Sequence, residues 1–461
     1  MESIITIKDI NLITARKISK EKALFNKIIA YEDKDKKIYV VCDNNKKDSI
    51  NEIKHIFNKE IIAKYYEEKV VDKLLYSVYL GLEENPEEII LKDAIKKKAS
   101  DIHFEPNEDS VVVRYRIDGK LVVSGKILKY EYQAIVSKIK LKANLDIAEK
   151  RKSQDGKIIF INEKDKFDLR ISIIPIVHGE KIVIRILYSD IFTYSLDKLN
   201  FTVKQKEKLD KIINLSSGLV IVNGPTGSGK STTLYSILNY LNKDDVNINT
   251  IEDPIEVVIK GINQMNLNRK INMDFPEGVR SLLRQDPDII MIGEIRDEET
   301  AQISLRACFT GHKVYSTIHT KDPREIYLRL EEMGIKKYWI RDALAGVISQ
   351  RLIRLLCKEC REVCGNIKIQ NENITLYKSI GCQCCNYTGY KGRGIVAAVH
   401  YIDKELKSKL NNIYEDENIL NNNEMIDNLG YFLKNGMITL EDFNNFIEME
   451  EIQYSNENKI I

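Results

Sequence analysis

A glycine-rich run in the middle of the chain is the feature best suited to chemistry. It lies between an apolar stretch and a segment with apolar residues at helical spacing, and consists of Gly224, Pro225, Thr226, Gly227, Ser228, Gly229, Lys230, Ser231 and Thr232. The pattern G-x-x-x-x-G-K-[ST] in this context predicts a loop whose backbone N–H groups surround a β-phosphate. In this interpretation Lys230 reaches the β- and γ-phosphates and Ser231 ligates Mg²⁺. A chance glycine-rich turn is the alternative, which the flanking strand and helix disfavour.

Two acidic clusters follow other predicted strands. The apolar run 289–292 leads to Glu294, and a second short strand leads to the cluster at 252–256. Ligand-binding residues of α/β proteins gather at the carboxyl ends of the strands, so both clusters are predicted to lie near the phosphate loop. Hydrolysis of a bound nucleotide needs a carboxylate that acts on the metal and the attacking water, and both clusters supply candidates. Helix-capping or surface acids are the alternative interpretation.

Six of the eight cysteines lie between residues 357 and 385. Four of them form two C-x₂-C pairs with 21 residues between the pairs, namely Cys357, Cys360, Cys382 and Cys385. Such clustering in a long intracellular chain favours a metal site over disulfides. Four thiolates suit tetrahedral Zn²⁺ and leave no open position, so the predicted zinc site is structural. A redox pair or simple buried thiols are the alternatives, and Cys364 and Cys384 fall outside the pattern.

Patterns along the chain predict an α/β protein with four regions. Residues 1–72 are predicted to form a small N-terminal α/β module, and residues 73–195 an α+β domain with an antiparallel sheet, because alternating apolar stretches surround turn signals. Residues 196–352 hold the phosphate loop and short unbroken apolar runs, which buried parallel strands require. Residues 353–461 hold the cysteines and predicted helices, and their Asn-rich stretch at 411–423 is predicted to be a solvated connector.

Composition excludes several classes of protein. The chain has 461 residues, with 71 Lys and Arg against 69 Asp and Glu, and is 43% hydrophobic and 30% charged. These values exclude a disordered chain, a collagen and a strongly basic nucleic-acid-binding protein. No apolar run reaches the roughly 18 residues that span a bilayer, and the first residues lack the pattern of a signal peptide. We therefore expect a cytoplasmic protein.

Together the motifs resemble those of the secretion and type IV pilus assembly ATPases, from about residue 85 to the end of the chain. Besides the phosphate loop and the cysteine pattern, the resemblance rests on segments similar to the family's second N-terminal domain, Asp box, Walker B segment and His box. Residues 100–103, 114–119 and 154–156 resemble the second N-terminal domain, and residues 250–256 resemble the Asp box. Residues 284–297 resemble the Walker B segment, and residues 311–312 and 316–320 resemble the His box.

The resemblance implies a RecA-like P-loop NTPase core preceded by an α+β, PAS-like domain, with a zinc-binding four-cysteine insertion and a helical C-terminus. It also implies a homo-hexamer that binds ATP and Mg²⁺ between its subunits. By family position Glu256 activates the attacking water, Glu294 acts on the Mg²⁺ and the water, and His319 senses the γ-phosphate.

Two arginines on the preceding domain complete the implied site. Arg170 and Arg185 each lie on an alternating strand and are predicted to project to the face opposite the apolar residues. The resemblance implies that they act as arginine fingers, which stabilise the charge that develops in phosphoryl transfer. A pair of exposed sheet arginines is the alternative.

The sequence thus predicts an ATPase motor that powers assembly, or extension, of type IV pili by ATP-driven domain rotation. The predicted partner is an inner-membrane platform protein, which would hold the chain at the membrane peripherally, and no direct nucleic-acid contact is expected. A type II secretion or DNA-uptake pseudopilus ATPase is the nearest alternative. A P-loop nucleic-acid translocase belongs to another class, and net charge of +2 with no aromatic-and-basic strand path argues against it. An ATP-binding scaffold without turnover is disfavoured by the two intact acidic motifs.

Overall fold

The computed structural model describes most of the chain, in residues 5, 9–15, 17–80, 86–162, 165–188, 195–268, 271, 273–369, 372–416 and 418–450. Within these residues, no helix combines the length and the apolar character needed to cross a membrane. The chain divides into two compact units. One unit comprises Met1–Tyr115, Val122–Ile158 and Arg170–Ile184, and the other comprises Arg116–Leu121, Ile159–Leu169 and Arg185–Ile461.

The N-terminal region contains a small set of helices and strands around one sheet. Its elements are α1 (Leu12–Ala15), α2 (Lys20–Asn26), β1 (Ile28–Lys34), β2 (Lys37–Asp43), α3 (Ser49–Phe57), β3 (Glu60–Tyr66) and α4 (Glu68–Leu80). Strand β2 pairs antiparallel with β1 and parallel with β3. Val71, Leu75 and Val78 of α4 are buried in the core of this module. Helix α4 therefore continues past residue 72, and the region boundary there stays a prediction.

The next region has a six-stranded sheet with two helices. Its elements are α5 (Pro86–Lys96), β4 (Asp101–Pro106), β5 (Ser110–Ile117), β6 (Lys120–Leu128), α6 (Lys129–Lys142), β7 (Gln154–Asn162), β8 (Asp165–Ile176) and β9 (Gly179–Leu187). The strand order is β6-β5-β4-β9-β8-β7. Asp118 and Gly119, which form the turn between β5 and β6, have φ angles of 47° and 86°. These left-handed angles explain the Asp-Gly pair, since these residues tolerate that conformation best.

The rest of the chain forms a larger α/β region. After a 3-10 helix at Leu196–Lys198 come α7 (Val203–Ile213), β10 (Gly218–Asn223), α8 (Lys230–Leu241), β11 (Ile248–Glu252), β12 (Asn263–Asn266), α9 (Phe275–Leu283), β13 (Ile289–Ile292), α10 (Glu298–Phe309), β14 (Lys313–Ile318), α11 (Arg324–Glu332), α12 (Lys337–Ala343) and β15 (Leu344–Leu356). Then follow β16 (Glu362–Ile369), β17 (Glu372–Lys378), a 3-10 turn at Gln383–Cys385, β18 (Tyr390–Tyr401), α13 (Lys404–Lys409), a 3-10 turn at Leu410–Asn412, α14 (Met425–Lys434) and α15 (Leu440–Met449).

A seven-stranded sheet in the order β12-β11-β13-β14-β10-β15-β18 organises this region. Its first six strands are mutually parallel, and β18 pairs antiparallel with β15. Strands β10, β11 and β13 are buried along their whole length, which explains the unbroken apolar sequence of β13 and the apolar run 219–222 of β10. Helices pack on both faces of the sheet and form two separate apolar cores.

The Asn-rich stretch differs from its prediction as a solvated connector. Ile413, Ile419 and Leu420 are buried in the core on one face of the sheet. The aliphatic residues between the asparagines thus anchor the stretch, because burying them removes apolar surface from water.

Candidate functional site

The phosphate loop joins β10 to α8 at the centre of the large sheet. Gly224, Gly227 and Gly229 have φ angles of 146°, 80° and 88°, in the region that glycine adopts most readily. A Cβ atom on Gly224 would lie 2.4 Å from the carbonyl oxygen of Gln350. The loop therefore needs glycine at this position for space as well as for its backbone angle.

Lys230 is held by the loop itself. Its Nζ donates to the carbonyl oxygens of Gly224 and Pro225, at 2.8 and 3.0 Å. Burial lowers the pKa of Lys230, the charge of Glu294 raises it, and Arg351 lowers it further. The ammonium is thus held close to the loop, where phosphate oxygens could replace the two carbonyl acceptors.

Gln350 and Arg351, at the middle of β15, support the loop from a position that the sequence analysis did not identify. Gln350 is fully buried, and its Nε2 donates to the carbonyl oxygen of Ser228 at 2.8 Å. Arg351 Nη1 donates to the Gln350 carbonyl oxygen at 3.1 Å, and its Nε donates to Glu450 Oε1 at 2.7 Å. Adjacent polar residues at the middle of a mostly apolar strand were the available signal in the sequence.

Glu294 follows β13 and meets His319, which follows the neighbouring strand β14. His319 Nε2 lies 3.5 Å from Glu294 Oε2, and Arg296 forms an ion pair with the other carboxylate oxygen. Desolvation lowers the pKa of His319, as do Lys230 and Arg296, while Glu294 raises it. Lys230, Glu294 and His319 therefore lie within electrostatic reach of one another, at the carboxyl ends of adjacent parallel strands.

The acidic cluster after β11 contains two glutamates in different surroundings. Glu252 is buried, and its carboxylate accepts hydrogen bonds from Thr250 Oγ1 at 2.6 Å, from Gln264 Nε2 at 3.1 Å and from the Tyr235 hydroxyl. Glu256 is exposed, and its charge raises the pKa of Lys230. The fully bonded Glu252 is suited to hold the strand end, and the exposed Glu256 to meet a nucleotide.

The chemistry of the phosphate loop fits ATP with Mg²⁺. Ser228 Oγ and Asn223 Oδ1 are buried, and neither has a hydrogen-bond partner among the described residues. Buried polar atoms of this kind are costly without a partner, and a bound anion or its water shell would supply one. Ser231 in the first turn of α8 and Glu294 supply the hydroxyl and carboxylate oxygens that Mg²⁺ prefers.

Arg170 and Arg185 belong to the six-stranded sheet, not to the sheet that carries Lys230. Arg170 lies on β8 between the buried Leu169 and Ile171, and Arg185 lies on β9 between the buried Ile184 and Ile186. Arg185 is exposed and Arg170 is half-buried, so both side chains leave the apolar face of their strand. Their role at a nucleotide stays a prediction.

The four cysteines of the predicted zinc site form one cluster, with all four sulfur atoms within 4.8 Å of one another. The Cys357–Cys382, Cys360–Cys385 and Cys382–Cys385 sulfur atoms are 3.9, 3.8 and 3.8 Å apart. A tetrahedron with Zn–S bonds of about 2.3 Å has edges of about 3.8 Å, so this spacing fits zinc.

The cluster also favours at least one thiolate. Desolvation raises the pKa of Cys385, but hydrogen bonds from two backbone N–H groups and from the thiols of Cys360 and Cys382 together outweigh this effect and lower that pKa to about 6. The backbone donors are Cys382 N at 3.1 Å and Gly389 N at 3.3 Å. Cys364 and Cys384 are exposed and lie outside the cluster, as their spacing predicts. The donor set can therefore hold Zn²⁺ without either of them.

The family can be assigned from comparisons with known proteins. A model of the family described as "Type II/IV secretion system protein" matches residues 83–445. The chain belongs to this family. The predicted resemblance is thereby confirmed, and so is the predicted fold class, a RecA-like core after an α+β domain, with a four-cysteine region.

Curated members of the type II/IV secretion system family match most of the chain. The putative type II secretion system protein E of Escherichia coli K12 is 41% identical over 336 residues, which are 71% of this chain and 68% of that protein. The type IV pilus assembly ATPase PilB of Thermus thermophilus is 41% identical over 328 residues, which are 69% of this chain and 37% of that protein. The match thus spans about two thirds of the first relative and little more than a third of the second.

Solved structures share the fold. The ATPase DotB of Legionella pneumophila is similar with a TM-score of 0.60 and 22% identity, over 79% of this chain and 95% of that chain. The pilus retraction motor PilT, solved with bound ADP, has a TM-score of 0.53 and 25% identity, over 77% of this chain and 95% of that chain. Both relationships extend over more of the chain than the phosphate-loop region alone.

Proposed function

We propose that this chain is a Mg²⁺-dependent ATP hydrolase, and the motor subunit of a machine that assembles pilin-like subunits. The observation that carries the proposal is the meeting of Lys230, Glu294 and His319 at one edge of the large sheet, with His319 3.5 Å from Glu294. Family relatives named as ATPases support hydrolysis. An ATP-binding scaffold would not need a buried carboxylate at this edge.

Each residue has a distinct proposed role. Lys230 and the loop N–H groups bind the phosphates, and Ser231 and Glu294 would hold the Mg²⁺. When bound, that ion neutralises charge on the transferring phosphoryl group. Glu256 takes the proton of the attacking water, because it is the exposed glutamate of its cluster. The lowered pKa of His319 keeps its imidazole neutral near pH 7, as a sensor that hydrogen-bonds the γ-phosphate requires.

The role of Glu256 is tested by separating binding from turnover. We expect Glu256→Gln to bind ATP with near wild-type affinity and to lose nearly all turnover, because the amide cannot accept the proton. The matched control is Glu207→Gln, an exposed glutamate on α7. Phosphate release and fluorescent-nucleotide binding are the measurements. Turnover close to that of the wild type in Glu256→Gln would refute its assignment as the base.

We also propose that the active form is a homo-hexamer in which Arg170 and Arg185 complete a nucleotide site. We expect Arg185→Ala to bind ATP but to lose about 10³-fold in turnover, as at other arginine fingers. Mixing Lys230→Ala chains with Arg185→Ala chains should restore part of the activity, since some sites then pair an intact lysine with an intact arginine. No recovery in verified mixed rings, or full activity in a dilute monomer, would contradict this arrangement.

The proposed cargo is a type IV pilus, extended through an inner-membrane platform protein that holds this cytoplasmic ATPase at the membrane surface. Type II secretion is a second candidate, because type II secretion relatives, at 39–44% identity, and type IV pilus relatives, at 41% identity, resemble this chain to a similar degree. A deletion strain that loses surface pili but still secretes its exported enzymes would support the first candidate, and the opposite phenotype the second. Strong stimulation of turnover by single-stranded DNA would contradict both and favour a nucleic-acid translocase.

A further inference from the structure

The loop between β11 and β12 carries Glu256, and side chains of the edge strand β12 hold this loop on both sides of it. Before Glu256, the backbone N–H of Ile255 donates to Asn266 Oδ1 at 2.7 Å. After it, Gln264 Nε2 donates to the carbonyl oxygen of Val257 at 2.9 Å. These two amides therefore fix the backbone immediately before and immediately after Glu256.

Gln264 also forms hydrogen bonds near both ends of the loop. Its Oε1 accepts from the backbone N–H of Ile259 at 2.6 Å, and its Nε2 also donates to Glu252 Oε1 at 3.1 Å. Glu252 is itself buried at the end of β11 under the hydroxyls of Tyr235 and Thr250. One side chain thus connects the start, the middle and the end of the loop.

The edge strand has no apolar periodicity, since its four residues are Asn-Gln-Met-Asn. The third amide side chain of the strand belongs to Asn263, and its Nδ2 donates to Asn247 Oδ1 at 3.2 Å, outside the Glu256 loop. The three amides of one strand therefore divide into two that bond the Glu256 loop and one that does not. This division provides an internal control.

We propose that Gln264 and Asn266 are positioning residues that set the location of the Glu256 carboxylate at the nucleotide site. This inference rests on the proposed role of Glu256 as the base. An exposed carboxylate on a loop depends on its backbone for its position, and Glu256 is exposed. Because misplacement of a reacting group by about 1 Å can cost about 10²-fold in rate, two fixed points beside Glu256 matter to turnover.

The hydrogen bonds predict which conservative substitutions each position tolerates. Asn266 serves the loop as an acceptor through Oδ1, and an aspartate would keep that acceptor. Gln264 serves as donor and acceptor at once, and a glutamate would keep the bond from Ile259 but lose the donation to Val257. We therefore expect Asn266→Asp to retain most of the turnover and Gln264→Glu to lose it.

The experiment measures steady-state ATP turnover and nucleotide affinity in the full chain. We expect Gln264→Leu and Asn266→Leu to lower kcat by up to about 10²-fold, with KM for ATP changed only a few-fold. Asn263→Leu, on the same strand, should leave kcat and KM close to wild type. Asn266 is exposed, so its Leu and Asp variants keep the test valid if Gln264→Leu does not fold.

A double variant separates positioning from general structural damage. If Gln264 acts through Glu256, then Gln264→Leu should cause little further loss in a Glu256→Gln background. A full additional loss, or equal kcat losses in the Asn266→Asp and Asn266→Leu variants, would overturn the positioning role. Normal turnover in Gln264→Leu and Asn266→Leu beside an inactive Glu256→Gln would overturn it too, and would leave the proposed base intact. Normal turnover in Glu256→Gln would instead refute the base.

Discussion

In the phosphate loop, Lys230 donates hydrogen bonds to two carbonyl oxygens of the loop, whereas in the four-cysteine cluster the sulfur atoms already stand 3.8 to 3.9 Å apart. The loop itself supplies acceptors for the lysine, so a nucleotide can arrive and leave without stranding a buried charge. The sulfur atoms have the spacing of metal ligands, and four thiolates close the coordination shell. The first arrangement suits a ligand that exchanges in every cycle, and the second suits one that stays.

The largest effect should follow from removing the lysine of the phosphate loop. We expect Lys230→Ala to weaken ATP binding and to lower turnover by at least about 10²- to 10³-fold, because the variant loses contacts made in the bound state and in the transition state. Glu294→Gln should keep ATP bound while losing turnover. Nucleotide binding and phosphate release measure both, with the exposed Lys204→Ala as the control. Turnover of Lys230→Ala near the wild-type rate would contradict this assignment.

The four-cysteine cluster is tested by its metal content. We expect about one Zn²⁺ per chain in protein prepared without chelator, and we expect Cys357→Ser to lose it and to unfold at a lower temperature, because metal binding contributes folding free energy. Cys364→Ser, an exposed cysteine outside the cluster, should keep the metal. Elemental analysis and thermal unfolding are the measurements. Absence of metal from the wild type would show that the four-cysteine cluster does not hold a permanent ligand, and the contrast with the phosphate loop would fail.

A smaller effect should follow from removing the support under the phosphate loop. Gln350→Leu leaves the carbonyl oxygen of Ser228 without its donor, at a cost of about 1 to 3 kcal/mol for a buried acceptor. We expect ATP affinity to fall by about fivefold at the lower end of that range, while the zinc content stays the same. Gln302→Leu on α10 is the control, since its amide bonds Glu298 at the surface. Unchanged ATP affinity in Gln350→Leu would show that Gln350 does not support the phosphate loop.

The smallest predicted effect concerns β18, the strand that runs from the cysteine region into the large sheet. Desolvation lowers the pKa of His400 from 6.5 to about 4, and Lys208 contributes to this shift, while the hydrogen bond to the Asn421 carbonyl oxygen and the charge of Asp322 oppose it. The unfolded state therefore binds a proton first as the pH falls. The contribution of neutral His400 to the free energy of unfolding is therefore fully present above about pH 6.5. It decreases as the pH falls towards about 4 and does not change further below that pH.

We expect the decrease to be on the order of 1 kcal/mol, because His400 is only partly buried. The free energy of unfolding, measured between pH 7 and pH 4 in the wild type and in His400→Gln, tests this. The variant should show a shallower dependence on pH. Equal slopes in the two proteins would contradict the shifted pKa.

The sequence predicted those parts of the site whose residues are close together in the chain. The phosphate loop and each cysteine pair are short patterns with a fixed backbone geometry, so spacing alone identified them. Gln350 was missed because its contact with Ser228 joins residues 122 positions apart. Gln264 and Asn266 were missed because a four-residue polar strand carries no periodic signal.

The fold was predicted on the same terms. The buried strands β10 and β13 followed from their apolar runs. The antiparallel addition of β18 to the parallel sheet depends on pairing between distant segments, such as Ser349 with Ala398. No local pattern encodes that pairing, so the sequence could not reveal it.

Strand β15 is continuous from Ser349, which pairs with the last residue of β10, to Leu356 beside Cys357. Successive residues of a strand face opposite sides, so a single inserted residue between these points would turn the side chains that follow it to the wrong face. Two added residues, matched by two in β18, would preserve both faces and lengthen the ribbon by about 7 Å. Insertions that keep both faces of the ribbon therefore change the separation of the two sites in steps of that size, and an odd residue needs a bulge such as the one between Arg354 and Leu356.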